Sequence, residues 1–233
     1  MIDFHSHILP GIDDGSKSPE MSLRMISALA GQGVDTVAAT SHYYATDRTP
    51  EHFLARRAEA YERIRGRLPE GSPRILLGAE VLYFPGISRM EALPELCLEG
   101  TKLLLLEMPF TVWTENMVRE ISELSHAGPC TILLAHIERY CFRQPVSVWD
   151  GLLSQGVLMQ ANADFFLRWP TRRKALRLLR EGRIHLLGSD CHNTDSRAPH
   201  LAEAREIIRE KLGEAPLEEI DSLGREILTE AGL

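Results

Sequence analysis

Leu103-Leu104-Leu105-Leu106-Glu107 sets four leucines directly ahead of one carboxylate. The run is far shorter than the roughly 18 residues of a membrane span. It suits a strand apolar on both faces, as in the interior of a parallel sheet. Six other short apolar runs share its form, over about 2–5, 36–41, 75–81, 131–135, 157–162 and 184–189. Each closes on imidazole, carboxylate or carboxamide groups. The endings are Asp3-Phe4-His5-Ser6-His7, Thr40-Ser41-His42, Gly78-Ala79-Glu80, Leu134-Ala135-His136, a segment ending near Asn162 and Asp164, and Gly188-Ser189-Asp190-Cys191-His192. Amphipathic stretches alternate with these runs, over about 19–31, 50–68, 114–127, 145–155, 171–181, 199–212 and 216–231. The first is announced by Ser18-Pro19-Glu20, an N-cap followed by Pro at the first helical position. Strand followed by helix, repeated, implies parallel strands with right-handed crossovers. A doubly wound sheet and a closed barrel both satisfy that pattern. The polar strand ends separate them, because a parallel barrel gathers its catalytic groups at one mouth, on the C-terminal ends of its strands.

The chain has 233 residues, 44% apolar and 25% charged, which is ordinary globular composition. Its length suits one α/β barrel, and the alternation runs from end to end without a linker, so one domain is expected over 1–233. A net charge of −7 argues against a dedicated nucleic-acid binder. No basic segment followed by an apolar stretch opens the sequence, and no run reaches membrane-spanning length. The expectation is a cytoplasmic protein without membrane insertion. Cys97, Cys130, Cys141 and Cys191 form no CxxC pair and read as free thiols.

The spacing His5-x-His7 puts two imidazoles on one side of an extended chain. Imidazoles beside carboxylates make a mixed nitrogen and oxygen donor set, which suits Mn, Fe or Zn better than Mg or Ca. Five histidines and four carboxylates exceed what one ion needs, so a multinuclear site with bridging carboxylates is expected. A rival motif overlaps it. Cys191 to Arg197 has the C-x5-R spacing of a thiolate phosphate loop. It contains no glycine, and Asp190 just before the thiol would raise its pKa rather than lower it.

The string His5-Ser6-His7-Ile8-Leu9-Pro10-Gly11-Ile12-Asp13-Asp14-Gly15 resembles the opening of the polymerase-and-histidinol-phosphatase superfamily. More narrowly, it is similar to the manganese-dependent protein-tyrosine phosphatases of bacterial capsular and exopolysaccharide regulation. The likeness continues through Ala39-Thr40-Ser41-His42, Gly78-Ala79-Glu80, Leu106-Glu107-Met108-Pro109, Ala135-His136-Ile137-Glu138-Arg139-Tyr140, Ser189-Asp190-Cys191-His192 and Arg197. It implies a distorted (β/α)7 TIM-like barrel carrying three divalent ions, Mn first and Fe or Zn as alternatives. On that resemblance His5, His7, Glu80 and Asp190 hold one ion. Glu80 bridges to a second ion bound also by Glu107 and His136, and Asp14, His42 and His192 hold the third. Arg139 and Arg197 become the phosphate-binding arginines. His42 is a further catalytic candidate on mechanistic grounds, since either it or the third ion can assist leaving-group departure. The implied reaction is hydrolysis of phosphotyrosine by a metal-bridged hydroxide. The implied partner is a phosphotyrosine protein, a bacterial tyrosine kinase of polysaccharide export. Ser6, Ser41 and Ile137 depart from the family's usual Cys, Pro and Pro, and Gln160-Ala161-Asn162-Ala163-Asp164 departs from a Thr- and Ser-rich version.

Two alternatives share the metal set: a small-molecule phosphatase such as one for histidinol phosphate, and a non-catalytic metal-binding regulator. Substrate selection is expected from the loop 43–49 and from rim aromatics Phe84, Phe110 and Trp113. The five arginines between Arg56 and Arg67 and the cluster Arg172-Arg173-Lys174 read as solvated helix faces, with capture of an acidic tail as the alternative.

Overall fold

The computed structural model describes residues 1–230 and 232. The chain runs β1 (Ile2–Ser6), α1 (Pro19–Gly31), β2 (Thr36–Ala39), β3 (His42–Tyr43), α2 (Pro50–Arg65), β4 (Arg74–Leu77) and β5 (Glu80–Leu82). It continues through α3 (Leu93–Leu96), β6 (Leu103–Glu107), α4 (Glu115–Ala127), β7 (Thr131–Leu134), α5 (Val146–Ser154) and β8 (Leu158–Asn162). It ends with α6 (Ala163–Leu167), α7 (Trp169–Arg180), β9 (Leu186–Gly188), α8 (Leu201–Leu212) and α9 (Ala215–Glu230). Short 3-10 turns occupy Ile87–Arg89 and Ile137–Arg139. Among the described residues no helix is long and apolar enough to cross a membrane.

Every strand pairing is parallel, in the orders β1-β2-β4 and β3-β5-β6-β7-β8-β9. The strands form a curled parallel sheet, and an isolated parallel bridge pairs Ser6 with Cys191. The runs 36–41 and 75–81, each expected as one strand, are split. Thr40 and Ser41 separate β2 from β3, and Gly78 and Ala79 separate β4 from β5. The first break has a side-chain cause. Thr40 Oγ1 accepts the Ser6 N–H at 3.1 Å, and Ser6 Oγ donates to the Ala38 carbonyl at 2.7 Å, replacing regular ladder bonds. The register of β1 on β2 shifts there as well, as irregular pairing beside functional sites often does.

The leucine run shows how the sheet is buried. Leu103 and Leu105 enter the concave cluster with Phe4, Leu76, Leu133 and Leu186. Leu104 and Leu106 join the convex cluster beneath the helices, with Met25, Ile26 and Leu29 of α1. Alternation with period two thus loads both faces with apolar side chains. Helix α9 contributes Leu228 to the concave cluster. A Cβ at Gly224 would lie 3.1–3.2 Å from the Phe4 ring and Ile2, so glycine permits that close approach. Asp3 fastens β1 to the end of β9: its carboxylate accepts the Ser189 N–H at 2.8 Å and the Ser189 hydroxyl at 2.6 Å. Burial raises the Asp3 pKa to about 6 against the pull of those hydrogen bonds.

Candidate metal centre

Of the nine residues named as ligands in the sequence, seven lie at the C-terminal ends of strands or in the loops that follow, and His42 and Glu80 begin the short strands β3 and β5. His5 lies one residue before the end of β1, and His7 one residue after it. His42 opens β3 opposite Glu80 in register, and Leu82 of β5 lies opposite Glu107. The structure draws three groups of donor atoms together, each within 4.8 Å: His5, His7 and Asp190; His42, Glu80 and Glu107; and His7, Asp14, His42 and His192. His136 sits against the second group, with Nε2 2.8 Å from Glu80 Oε1 and 3.4 Å from Glu107 Oε1. The grouping differs from the expected one in detail, since His42 reaches Glu80 and His7 reaches the Asp14 group. Asp14 is the exposed member, its side chain 61% accessible, with Oδ1 3.3 Å from both His42 Nε2 and His192 Nε2.

Two backbones are bent to make this arrangement. His136 (φ 33°) and Asp190 (φ 50°) are the non-glycine residues with positive φ among those described. The left-handed region costs an ordinary residue of order 1 kcal/mol. Here it turns one imidazole and one carboxylate inward where their strands end.

Hydrogen bonds fix which imidazole nitrogen faces the centre. His5 Nδ1 lies 3.1 Å from Gln160 Oε1, His7 Nδ1 2.9 Å from Asp13 Oδ2, and His192 Nδ1 2.9 Å from the Asp190 carbonyl. Each of these Nδ1–H groups can donate outward, leaving an Nε2 lone pair aimed at the centre. His5 Nε2 and His7 Nε2 then face one another at 3.1 Å. Buried within the cluster, His42 Nδ1, Glu80 Oε2 and His192 Nε2 have no well-directed hydrogen-bond partner. Buried polar atoms are rarely left unmet. Lone pairs and carboxylate oxygens converging without donors fit divalent cations, and the nitrogen and oxygen donors suit Mn, Fe or Zn.

The charges are strongly coupled. Burial would raise the Glu80 pKa, but His5, His136 and His42 around it hold the carboxylate well below its usual range. Burial also works to raise Asp190, which His5 and His7 hold low. Burial works to lower His136, yet Glu107 and Glu80 raise it to about 9, and His7 is raised well above its ordinary value through Asp13, Asp190 and Glu80. Imidazole must be neutral to bind a metal. Protein stripped of metal should therefore release protons on taking up Mn2+ at pH 7, and its affinity should rise with pH toward about 9. Calorimetry in two buffers of different ionisation enthalpy measures the proton count; none released would contradict this electrostatic picture.

Arg139 and Arg197 flank the cluster. Arg139 donates to Asp190 Oδ2 and Arg197 to Asp190 Oδ1, each at 3.0 Å. Both line a cavity of about 330 Å³ with Asn162, Asp190 and Arg168. Phe110 is exposed, with the Arg139 guanidinium 5.5 Å from its ring centre. Tyr44 of the loop 43–49 stacks on His42 at 5.3 Å. Phe84 is half-buried. Trp113, expected on the rim, is instead core: it is buried against Tyr140 and Trp149, and its backbone N–H donates to Gln144 Oε1. Of the arginines of α2 and its C-terminal end, Arg63, Arg65 and Arg67 are exposed, as a solvated face requires, whereas Arg56 and Arg57 are half-buried. Arg56 donates to the Gly11 carbonyl, Arg57 to those of Gly78 and Glu95, and Arg63 to that of Pro10. Arg65 and Arg67 pair with Glu62 and Glu20.

Four supporting residues were not assigned roles from the sequence. Gln160 also accepts the His136 N–H at 2.8 Å and donates to Asn162 Oδ1 at 2.9 Å, and Asn162 donates to Asp190 Oδ2 at 2.9 Å. The Tyr140 hydroxyl lies 3.3 Å from His136 Nδ1. Asp13 orients His7 and accepts the backbone N–H groups of Gly15 and His42. The Asp13-Asp14 pair was the only signal for it. Asp13→Ala is expected to weaken metal affinity about 10–100-fold, the usual effect of losing a carboxylate behind a ligating histidine. Metal titration of the stripped variant checks this.

Cys191 is buried, and burial pushes its thiol up to about 12. The thiol is therefore protonated near neutral pH. Arg197 of the C-x5-R spacing is directed at Asp190, and its carbonyl accepts the His192 N–H. Cys191→Ser is expected to keep turnover within about threefold, since a thiolate nucleophile would lose far more. Steady-state rates at equal metal content decide it.

The capsular polysaccharide synthesis CpsB/CapC family model matches residues 1–225. Tyrosine-protein phosphatase CpsB of Streptococcus agalactiae is 30% identical over 224 residues, 91% of each chain. Tyrosine-protein phosphatase YwqE of Bacillus subtilis is 30% identical over 221 residues, 91% of this chain and 85% of its own. A crystal structure from work on YwqE of Bacillus subtilis and CpsB of Streptococcus pneumoniae, described as unique metal-dependent tyrosine phosphatases, superposes with a TM-score of 0.81. It is 25% identical and covers 95% of this chain and 92% of its own. Histidinol phosphate phosphatase of Lactococcus lactis shares the fold alone, at a TM-score of 0.54 and 13% identity over 90% of this chain and 92% of its own. From its first strand to its last helix, this chain belongs to the CpsB/CapC family of capsular polysaccharide synthesis.

Proposed function

We propose that this protein is a metal-dependent protein-tyrosine phosphatase. The observation that carries the reading is the convergence of nine nitrogen and oxygen donors beside two guanidinium groups at one set of strand ends. Three divalent cations, Mn first, would be held by His5, His7, Glu80 and Asp190; by Glu80, Glu107 and His136; and by Asp14, His42 and His192. Bound there, such ions supply Lewis acidity toward water and toward phosphoryl oxygen. The remaining roles belong to the chain. Arg139 and Arg197 turn their planar forks onto the phosphoryl oxygens and offset the charge that grows there. Asn162 keeps Asp190 anchored when the two arginines engage the phosphate. Phe110 and Tyr44 offer ring faces beside the centre for a phenyl group. A phenolate has a conjugate pKa of about 10, so it leaves with less protonation than an alkoxide needs. His42 stands beside the exposed Asp14 and can assist that departure.

The architecture behind the reading is a distorted (β/α)7 barrel, counting β2 with β3 and β4 with β5 as single strands, closed by the Ser6 to Cys191 bridge and forming one domain. The substrate is a phosphotyrosine protein, a bacterial tyrosine kinase of capsular or exopolysaccharide synthesis, met in the cytoplasm. Turnover of a phosphotyrosine peptide and of histidinol phosphate, measured side by side with Mn2+, tests the reading. Faster hydrolysis of the peptide is expected. Faster hydrolysis of histidinol phosphate, or hydrolysis of neither, overturns it.

A further inference from the structure

A second cavity lies behind the turn that carries Arg139. It has a volume of about 300 Å³, inside the range of ligand-binding pockets. Ile137, Val146, Trp149, Met159 and Leu178 give it apolar walls. Lys174, Arg177 and Arg183 stand among its lining groups; Arg177 pairs with Glu181 and Arg183 with Asp150 and Glu181, so Lys174 is the lining cation without a carboxylate partner among the described residues. Ile137 lines this cavity while Glu138 and Arg139 line the one beside the metal centre, so neighbouring residues of a single 3-10 turn face the two cavities.

The surroundings are unusual for this chain. Its net charge is −7, yet residues 137–183 carry nine Arg and Lys against four Asp and Glu, a local +5. The remainder of the chain is therefore at −12. The large exposed apolar side chains among the described residues are Phe110, Val112, Phe142, Val146 and Trp169. All five follow β6, β7 or β8, on the side of the sheet that holds the candidate site. Phe142 is held in place there: Lys174 Nζ lies 3.4 Å from its ring centre and also donates to the Cys141 carbonyl at 2.8 Å. Outside the cavity lining but close to it in the chain, Arg143 and Arg173 are exposed and make no side-chain hydrogen bond or ion pair among the described residues. An apolar pocket with Lys174 at its edge, in a net basic segment that also carries Arg139, complements an apolar side chain with acidic neighbours.

We propose that this cavity is a docking site for the substrate chain itself, taking an apolar side chain with adjacent Asp or Glu at about three to five residues from the phosphotyrosine. The inference rests on the phosphatase reading above and adds to it a sequence preference. No bond is made or broken in the pocket. It acts by holding the substrate near Arg139, so its effect falls on KM rather than kcat.

The test uses three substrates with the metal-loaded full chain: p-nitrophenyl phosphate, a phosphotyrosine peptide flanked by Gly and Ser, and one carrying Leu with two Glu four residues away. The acidic apolar peptide should show a kcat/KM about tenfold higher than the Gly/Ser peptide, carried by KM and lost in high salt. The double variant Lys174→Glu, Arg177→Glu should erase that advantage and leave p-nitrophenyl phosphate turnover unchanged. Val146→Glu, at the exposed start of α5, should do the same. Anisotropy of the labelled, unphosphorylated acidic peptide reads the pocket without turnover: wild type binds it and the double variant does not. Equal kcat/KM for the two peptides in the wild type overturns the docking site. So does a uniform loss on all three substrates in the variants. A variant that changes oligomeric state while keeping the peptide preference assigns the pocket to a second copy of this chain and also overturns it. Failure to hydrolyse any substrate refutes the phosphatase reading alone, since peptide binding still reports on the pocket.

Discussion

Glu80→Gln is expected to lower phosphotyrosine turnover by about 10³-fold or more, because positive charge at the reacting phosphoryl group is worth several kcal/mol. Glu80 is almost fully buried, and its two oxygens reach four imidazoles: Oε2 lies 3.2 Å from His5 Nε2, 3.3 Å from His7 Nε2 and 2.9 Å from His42 Nδ1, while Oε1 lies 2.8 Å from His136 Nε2. In the proposed site it is the carboxylate shared between two ions. Gln is isosteric and keeps one acceptor, but it removes the negative charge that holds both. Metal content should fall by at least one ion per chain while circular dichroism stays that of the wild type. Elemental analysis beside steady-state rates measures both. Full turnover with full metal content would show that Glu80 bridges nothing.

Arg139→Ala is expected to behave differently, with kcat down about 10²–10³-fold, the usual cost of removing one preorganised donor from a charge-developing site, and with metal content unchanged. The geometry separates the two effects. Asp190 is gripped from both sides, by Arg139 at Oδ2 and Arg197 at Oδ1, and Asn162 also donates to Oδ2. Losing Arg139 therefore leaves Asp190 anchored. Arg139→Lys should recover little, since an ammonium lacks the planar fork. Parallel loss of metal and turnover in Arg139→Ala would make this residue a support for Asp190 rather than a phosphate ligand.

What the sequence made legible follows from local physics. The leucine run announced a strand buried on both faces, and its four leucines divide evenly between the concave and convex clusters. The start of α1 was readable because Ser18 accepts the Met21 N–H and Pro19 follows it. The strand-end histidines and carboxylates were readable because parallel strands deliver their ends to one side. What stayed hidden depends on partners far away in the chain. The break after β2 arises from the bonding of Thr40 to Ser6, which no local propensity encodes. Asp13 and Asp14 are indistinguishable as letters, and their roles separate only where the loop folds back on His7. That fold is so close that a Cβ at Gly15 would lie 2.4 Å from His7. Trp113 looked like a rim aromatic because its burial comes from Tyr140 and Trp149 on other segments. Arg56 and Arg57 looked solvated because their carbonyl acceptors belong to other loops.

The central claim is that the donors at the strand ends hold the metal on which phosphotyrosine hydrolysis depends. Chelator-stripped protein titrated with Mn2+, with metal occupancy and phosphate release from a phosphotyrosine peptide followed together, tests it most directly. No turnover is expected without metal, and recovery should track occupancy up to about three ions per chain. Full turnover by the stripped protein, or complete filling with no turnover, would contradict it.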